Sequence, residues 1–283
     1  MKLRCILLTG LLLACDRAPA ADLGKGLQAF HEGDFATALA ECRPLAEHGN
    51  ASAQFVIGVM YFEGRGVPKD PAKGAQWTLK AADQGVADAQ FNLAMMYTKG
   101  QGVPQDDAQA ATWLRKAADQ GVREAQYNLA TFYLEGKGVA RDFNQAFEWN
   151  RKAAEAGSAD AQFNLAMMYE RGEGVAQDDA QALAWYRRIA TKDEPGVLLH
   201  MAAMIEAGRG APPDRAAAWA LVALAASGRG GDAHLDEERD ALASSMSSAE
   251  RERGKDLLRD MQQMGVMEAL GKTTTRANGD MPH

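Results

Sequence analysis

Phe91, Asn92 and Met95 share one helical stripe, and the same stripe returns as Tyr127 and Asn128, then as Phe163, Asn164 and Met167. Counted from Asp88, the spacing is i, i+3, i+4 and i+7, which places such groups on one side of a helix. Asp88, Glu124 and Asp160 stand three positions ahead of each aromatic and extend the stripe with charge. Aromatic rings offer large rigid contact area, carboxamides both donate and accept hydrogen bonds, and carboxylates favour basic partners. That chemistry suits recognition of an extended peptide or a partner helix. These eleven residues are the candidate partner-binding set. The same aromatics also suit packing between neighbouring units, and the acidic row suits a solvated rim.

No catalytic constellation accompanies the stripe. His31, His48, His200, His234 and His283 show no metal-ligand spacing with cysteine or carboxylate, and no serine sits in a nucleophile elbow. The recurring G-x-G-V falls between two helical segments and not after a strand, so it reads as a turn and not as a phosphate cradle. His200 occupies the asparagine row and reads as a structural or rim histidine. No catalytic residue, metal site or cofactor is expected. A net charge of −7 over 283 residues argues against nucleic acid as a partner, since phosphate-backbone binding needs basic surface.

The elements that position the stripe are set by a period of thirty-six residues. It carries Ala53-Gln54, Ala89-Gln90, Ala125-Gln126 and Ala161-Gln162; Tyr61, Tyr97, Tyr133 and Tyr169; and Trp77, Trp113, Trp149 and Trp185. Glycine pairs from Gly64/Gly66 to Gly172/Gly174 and aspartates from Asp70 to Asp178 keep the same step. A fixed period of this size means one unit, copied and stacked. Within Asp88 to Gly121, Ala89, Leu93 and Tyr97 recur at helical spacing and predict a first helix ending at Gly100. Glycines and Pro104 break the next segment, with Val103 turned inward as a plug. Asp106 then caps a second helix, whose buried stripe is Ala110, Trp113 and Ala117; Arg115-Lys116 complement its dipole and Gly121 closes it. The fold class is all-α: an α/α solenoid of stacked helical hairpins.

The segment A-Q-F-N-L-A-M-M-Y-T-K-G-Q-G-V-P-Q-D from Ala89 to Asp106, with Ala110, Trp113 and Gly121, resembles the Sel-1-like repeat family, relatives of tetratricopeptide repeats with a longer, glycine-rich inter-helix loop. The resemblance implies a superhelix whose first helices line the concave side, and a protein or peptide partner held there. One branch of that family, small secreted cysteine-rich proteins, is linked to binding or slow hydrolysis of β-lactam-like compounds and carries a cysteine pair in each repeat. This chain has no such pair between Ala53 and His283.

The ends depart from the pattern. Asp34, Ala38 and Gly49 keep register, but Gly33 adjoins Asp34, so residues 22–52 read as a hairpin with a short turn. Five repeats span 53–231, the last worn, with Ile205 in the tyrosine row and Leu221 in the tryptophan row. Capping helices are expected over 232–271, one opened by a capping box at Ser247-Ser248-Ala249-Glu250 and running to Met264; 272–283 is a polar, disordered tail.

Residues 1–20 read as a secretory signal peptide, with a basic start and an apolar stretch from Cys5 to Ala14 too short to span a bilayer. Ala18-Pro19-Ala20 fits ordinary cleavage; Leu12-Leu13-Ala14-Cys15 resembles a lipoprotein box, which would acylate Cys15. Both exits stand, and Cys42 reads as a buried free thiol. The chain is expected to be an exported monomer in the periplasm or beyond it, with or without a lipid anchor, serving as a protein-interaction adaptor. The alternative is a cell-wall or peptidoglycan-fragment binder with weak β-lactamase-like hydrolase activity.

Overall fold

Aspartate caps and left-handed glycines set where each helix begins and ends. The computed structural model describes residues 21–191, 194–228 and 233–271. The leader with Cys15 and both cleavage points, and the tail 272–283, lie outside the described residues. Every regular element among the described residues is helical: α1 (Leu23–Glu32), α2 (Phe35–Glu47), α3 (Ala51–Glu63), α4 (Pro71–Asp83), α5 (Ala87–Lys99), α6 (Asp107–Asp119), α7 (Arg123–Glu135), α8 (Phe143–Glu155), α9 (Ala159–Arg171), α10 (Asp179–Ile189), α11 (Pro195–Glu206), α12 (Arg215–Ala226), α13 (Ala233–Ser245) and α14 (Ser248–Met264). The chain forms an α/α solenoid of helical hairpins. It divides into two units, one reaching Ala89 and the other running from Gln90.

The caps work as their residue types require. Asp106 Oδ1 accepts hydrogen bonds from the amides of Ala108 and Gln109, both at 3.0 Å, and Asp142 and Asp178 repeat the arrangement. Each satisfies amides that the first helical turn leaves without partners. None of the helices described is long and apolar enough to cross a membrane.

In the first unit, Gly33 turns the chain at φ 83° directly before the Asp34 cap, giving the short turn read from the sequence. Cys42 is fully buried as a free thiol, and burial pushes its pKa up. Helices α3 and α4 meet backbone to backbone. A methyl group added at Gly74 would stand 2.8 Å from the amide nitrogen of Phe62 and 2.9 Å from the carbonyl of Gly58. Alanines occupy both positions in the later repeats.

In the second unit, the second glycine of a loop rests on the hairpin before it. A Cβ at Gly138 would overlap the carbonyl of Asp107 and come within 2.7 Å of the Ala108 amide. Gly174 meets Phe143 and Gly210 meets Asp179 in the same way, each at the first residue of the preceding unit's second helix. The loop therefore docks where side chains cannot fit. Val139 and Val175 follow these glycines and are half-buried, as plugs should be.

Within each unit, two further rows join consecutive repeats. Gln126 Nε2 donates to the Ala118 carbonyl at 3.2 Å and Gln162 Nε2 to Ala154 at 2.9 Å, while Gln90 Oε1 accepts from Gln120 at 2.7 Å. The first unit repeats this with Gln54, Ala46 and Gln84. The position after Gln84 and Gln120 in this series is Ala156, and Gln126 Oε1 is accordingly buried without a partner. The second row is cationic: Lys116 lies 3.7 Å from the Trp113 ring centroid, Lys152 3.9 Å from Trp149 and Arg188 4.1 Å from Trp185. Basic residues expected to serve the helix dipole also cover the indoles three positions earlier, a contact of about 0.5–1 kcal/mol at exposed sites.

At the far end, Ser247 and Glu250 form the expected capping box, at 3.2 and 2.7 Å. Helix α14 ends at Met264, as its pattern predicted. It crosses α12 at Gly254, where a Cβ would be 2.8 Å from the Trp219 ring, and it buries Leu257 and Met261 over the last hairpin.

Two outcomes test this packing by denaturant unfolding. Gly138→Ala should cost about 2–5 kcal/mol, the left-handed penalty plus overlap, whereas Gly136→Ala, whose Cβ would sit 3.4 Å from Arg141, should cost only the penalty of about 1–2 kcal/mol. Equal losses would remove the docking role. Ala156→Gln should stabilise the chain by about 0.5–1.5 kcal/mol by supplying the donor that Gln126 lacks; no gain would mean that Gln126 is already satisfied.

Candidate functional site

The site is built where the repeat loses one of its stops. Gly85, Gly121 and Gly157 each follow a second helix at φ 87–91°. Asp193 takes that position in the next unit, and there α10 has eleven residues against thirteen in α8. Ala190 turns to extended geometry at ψ 104°, and α11 restarts at Pro195 without a side-chain cap from Glu194. A cavity of about 620 Å³ opens beside this break. Its walls are Tyr127 of α7; Ala159, Asp160, Gln162, Phe163 and Asn164 of α9; Arg188 and Ile189 of α10; Thr191 and Glu194; and Gly196 and Val197 of α11.

Four of the stripe residues meet in that cavity: Tyr127, Asp160, Phe163 and Asn164. The packing expected of the aromatic row is visible at Phe163. Its ring centroid is 5.6 Å from Tyr186 and 5.9 Å from His200, edge to face, so it packs into the core and still walls the cavity. Tyr127 likewise packs against the Leu165 and Met168 cluster. Met167 packs against the core of the terminal repeats. Asn128 donates to the carbonyl of Glu124 at 2.6 Å, so one of its amide protons is used within α7. Glu124 is exposed and paired with Arg123 at 2.6 Å, whose guanidinium holds its carboxyl below the usual range. Phe91, Asn92 and Met95 are half-buried on α5 and are not among the cavity walls. Asp88 is exposed in the first unit.

Sequence reasoning missed Ala159, Gln162, Arg188, Ile189, Thr191, Glu194, Gly196 and Val197. The signal was present, because a glycine kept through four turns is replaced at Asp193, but a repeat pattern draws attention to what recurs and not to where it stops.

Below the cavity, Tyr186 is fully buried where the other second helices carry Thr78, Leu114 and Asn150. His200 stacks on its ring at 5.6 Å and is itself exposed, so the histidine in the asparagine row lies at the rim with one face on the core. The Tyr186 hydroxyl donates to Glu170 at 3.2 Å, and Arg209 pairs with the same carboxylate. Burial raises the Glu170 pKa, but the hydrogen bonds from Arg209 and Tyr186 outweigh it and leave the carboxyl below its ordinary value. Among the described residues, no cluster of histidine, cysteine and carboxylate could hold a metal ion.

Stacked hairpins with a walled cavity on their first-helix face define a helical-repeat scaffold of the protein-interaction class. The family model of the Sel1 repeat matches residues 51–86, 87–122, 123–158, 159–194 and 198–228, and the chain belongs to the Sel1 repeat family. Members of this family are in general protein-interaction scaffolds without catalysis. Among solved structures, a Sel1 repeat protein from Oxalobacter formigenes is 31% identical with a TM-score of 0.68, the match covering 74% of this chain and 86% of that one. The protective antigen c5321, present in uropathogenic Escherichia coli strains and displaying the same repeat fold, is 33% identical with a TM-score of 0.66; the match covers 85% of this chain and 56% of the antigen. No curated protein matches the chain at a significant level.

The Glu170 cluster gives a pH prediction. Because the folded pKa is lowered, its contribution to stability is complete above the unfolded value and is lost as pH falls through the folded one. The stability difference between the parent and Glu170→Gln should therefore be largest near neutrality and shrink below about pH 4. A constant difference across that range, measured by urea unfolding, would contradict it.

Proposed function

We propose that this chain is an exported scaffold of the bacterial cell envelope that binds a protein or peptide partner on the face shared by the first helices of its hairpins. The observation that carries the reading is the cavity in which Tyr127, Asp160, Phe163 and Asn164, from two consecutive repeats, converge. An aromatic wall supplies apolar contact, and the Asn164 carboxamide supplies hydrogen bonding to a peptide backbone. Residues 1–20 support export, and Cys15 is the residue that a lipid anchor would use. The scaffold acts as a monomer.

Asn164→Trp fills the cavity from a half-buried position and tests the reading. Affinity capture from an envelope extract should retain a partner on the parent and lose at least about tenfold of it on the variant at matched folding, about 1.4 kcal/mol. Equal retention would move binding off this face. Labelling with a fatty-acid analogue should mark the parent and not Cys15→Ser if the lipid exit is used; unlabelled, processed protein would assign ordinary cleavage.

A further inference from the structure

Resting on that reading, the cavity also has a chemistry of its own. Its walls are apolar at Phe163, Ile189 and Val197, and carboxylates stand at its edge on Asp160 and Glu194. Among the described walls, Asp160 and Glu194 carry the carboxylates and Arg188 the guanidinium, which already lies 4.1 Å from the centroid of the Trp185 ring. The local balance also differs from that one repeat earlier. There Glu124 is neutralised by Arg123, whereas the residue before Asp160 is Ala159. Glu194 likewise makes no side-chain cap to α11, so its carboxylate is not used by the helix it precedes.

We infer that this cavity is a subsite for a lysine or arginine side chain of an extended peptide. A long basic side chain matches both halves of the site: its methylene stem packs on apolar and aromatic walls while its charged head reaches the carboxylates at the edge. A purely apolar side chain would leave Asp160 and Glu194 unmatched, and an acidic one would meet them with like charge. A volume of about 620 Å³ leaves room for the side chain together with the backbone on either side of it.

The test is fluorescence anisotropy with the full chain and labelled heptapeptides of alanine whose central residue is arginine, lysine, norleucine, phenylalanine or glutamate. The arginine and lysine peptides should bind at least about tenfold more tightly than the norleucine peptide at low salt, with most of that preference lost in 1 M salt. Asp160→Asn with Glu194→Gln, both at exposed positions, should abolish the preference while leaving the circular dichroism spectrum unchanged. Equal binding of norleucine and lysine peptides, a preference that survives the double substitution, or tighter binding of the glutamate peptide through Arg188 would each overturn the inference. Binding of the norleucine and phenylalanine peptides without a basic preference would leave the scaffold reading standing and remove only this subsite. Absence of binding by all five peptides would remove the cavity as a peptide site altogether.

Discussion

The second unit depends on how closely a loop can approach the backbone of the hairpin before it. Gly138, Gly174 and Gly210 combine a left-handed φ with a contact that leaves no room for a Cβ. Neither requirement alone would demand glycine so strongly. Together they fix the distance and angle at which one hairpin follows another, because a loop that cannot dock cannot bring the next helix into register. The glutamine row adds direction. Each amide reaches back to a carbonyl near the end of the preceding second helix, which then accepts both from the glutamine and from the glycine amide that follows the helix.

Small residues make the rest of the interface possible. Ala125, Ala161 and Ala182 are completely buried, and their size lets helices approach while Leu129, Leu165 and Leu183 fill the space around them. Trp113 and Trp149 are buried and Trp185 is half-buried, each with a basic side chain laid over it, so a residue that is costly to expose is covered by one that is costly to bury. This arrangement is local to each unit. It allows the array to be extended without a larger core.

Much of the architecture was legible because repetition turns weak signals into strong ones. Asp106 as a cap, Gly100 as a stop and the short turn at Gly33 each have a physical reason visible in a single unit, and the period confirms it elsewhere. The capping box at Ser247 was readable from four residues. The cavity was not. It lies beside a second helix two residues shorter than the one before, and the residues that line it, such as Arg188 and Glu194, have no special character in the sequence. Phe163 shows why a stripe alone could not separate packing from an open surface: the same ring packs edge to face on Tyr186 and walls the cavity. His200 reads the same from the sequence as any rim residue, and its stacking on Tyr186 appears only in the structure.

Recognition at the break between α9 and α11 is the central claim, and amide hydrogen exchange measured with and without a bound partner tests it most directly. The account predicts that partner binding slows exchange in the first turn of α9 and from Arg188 to Val197, with little change on α8 and α14. Protection confined to α8 or α14, with the α9 and α11 termini unaffected, would contradict it.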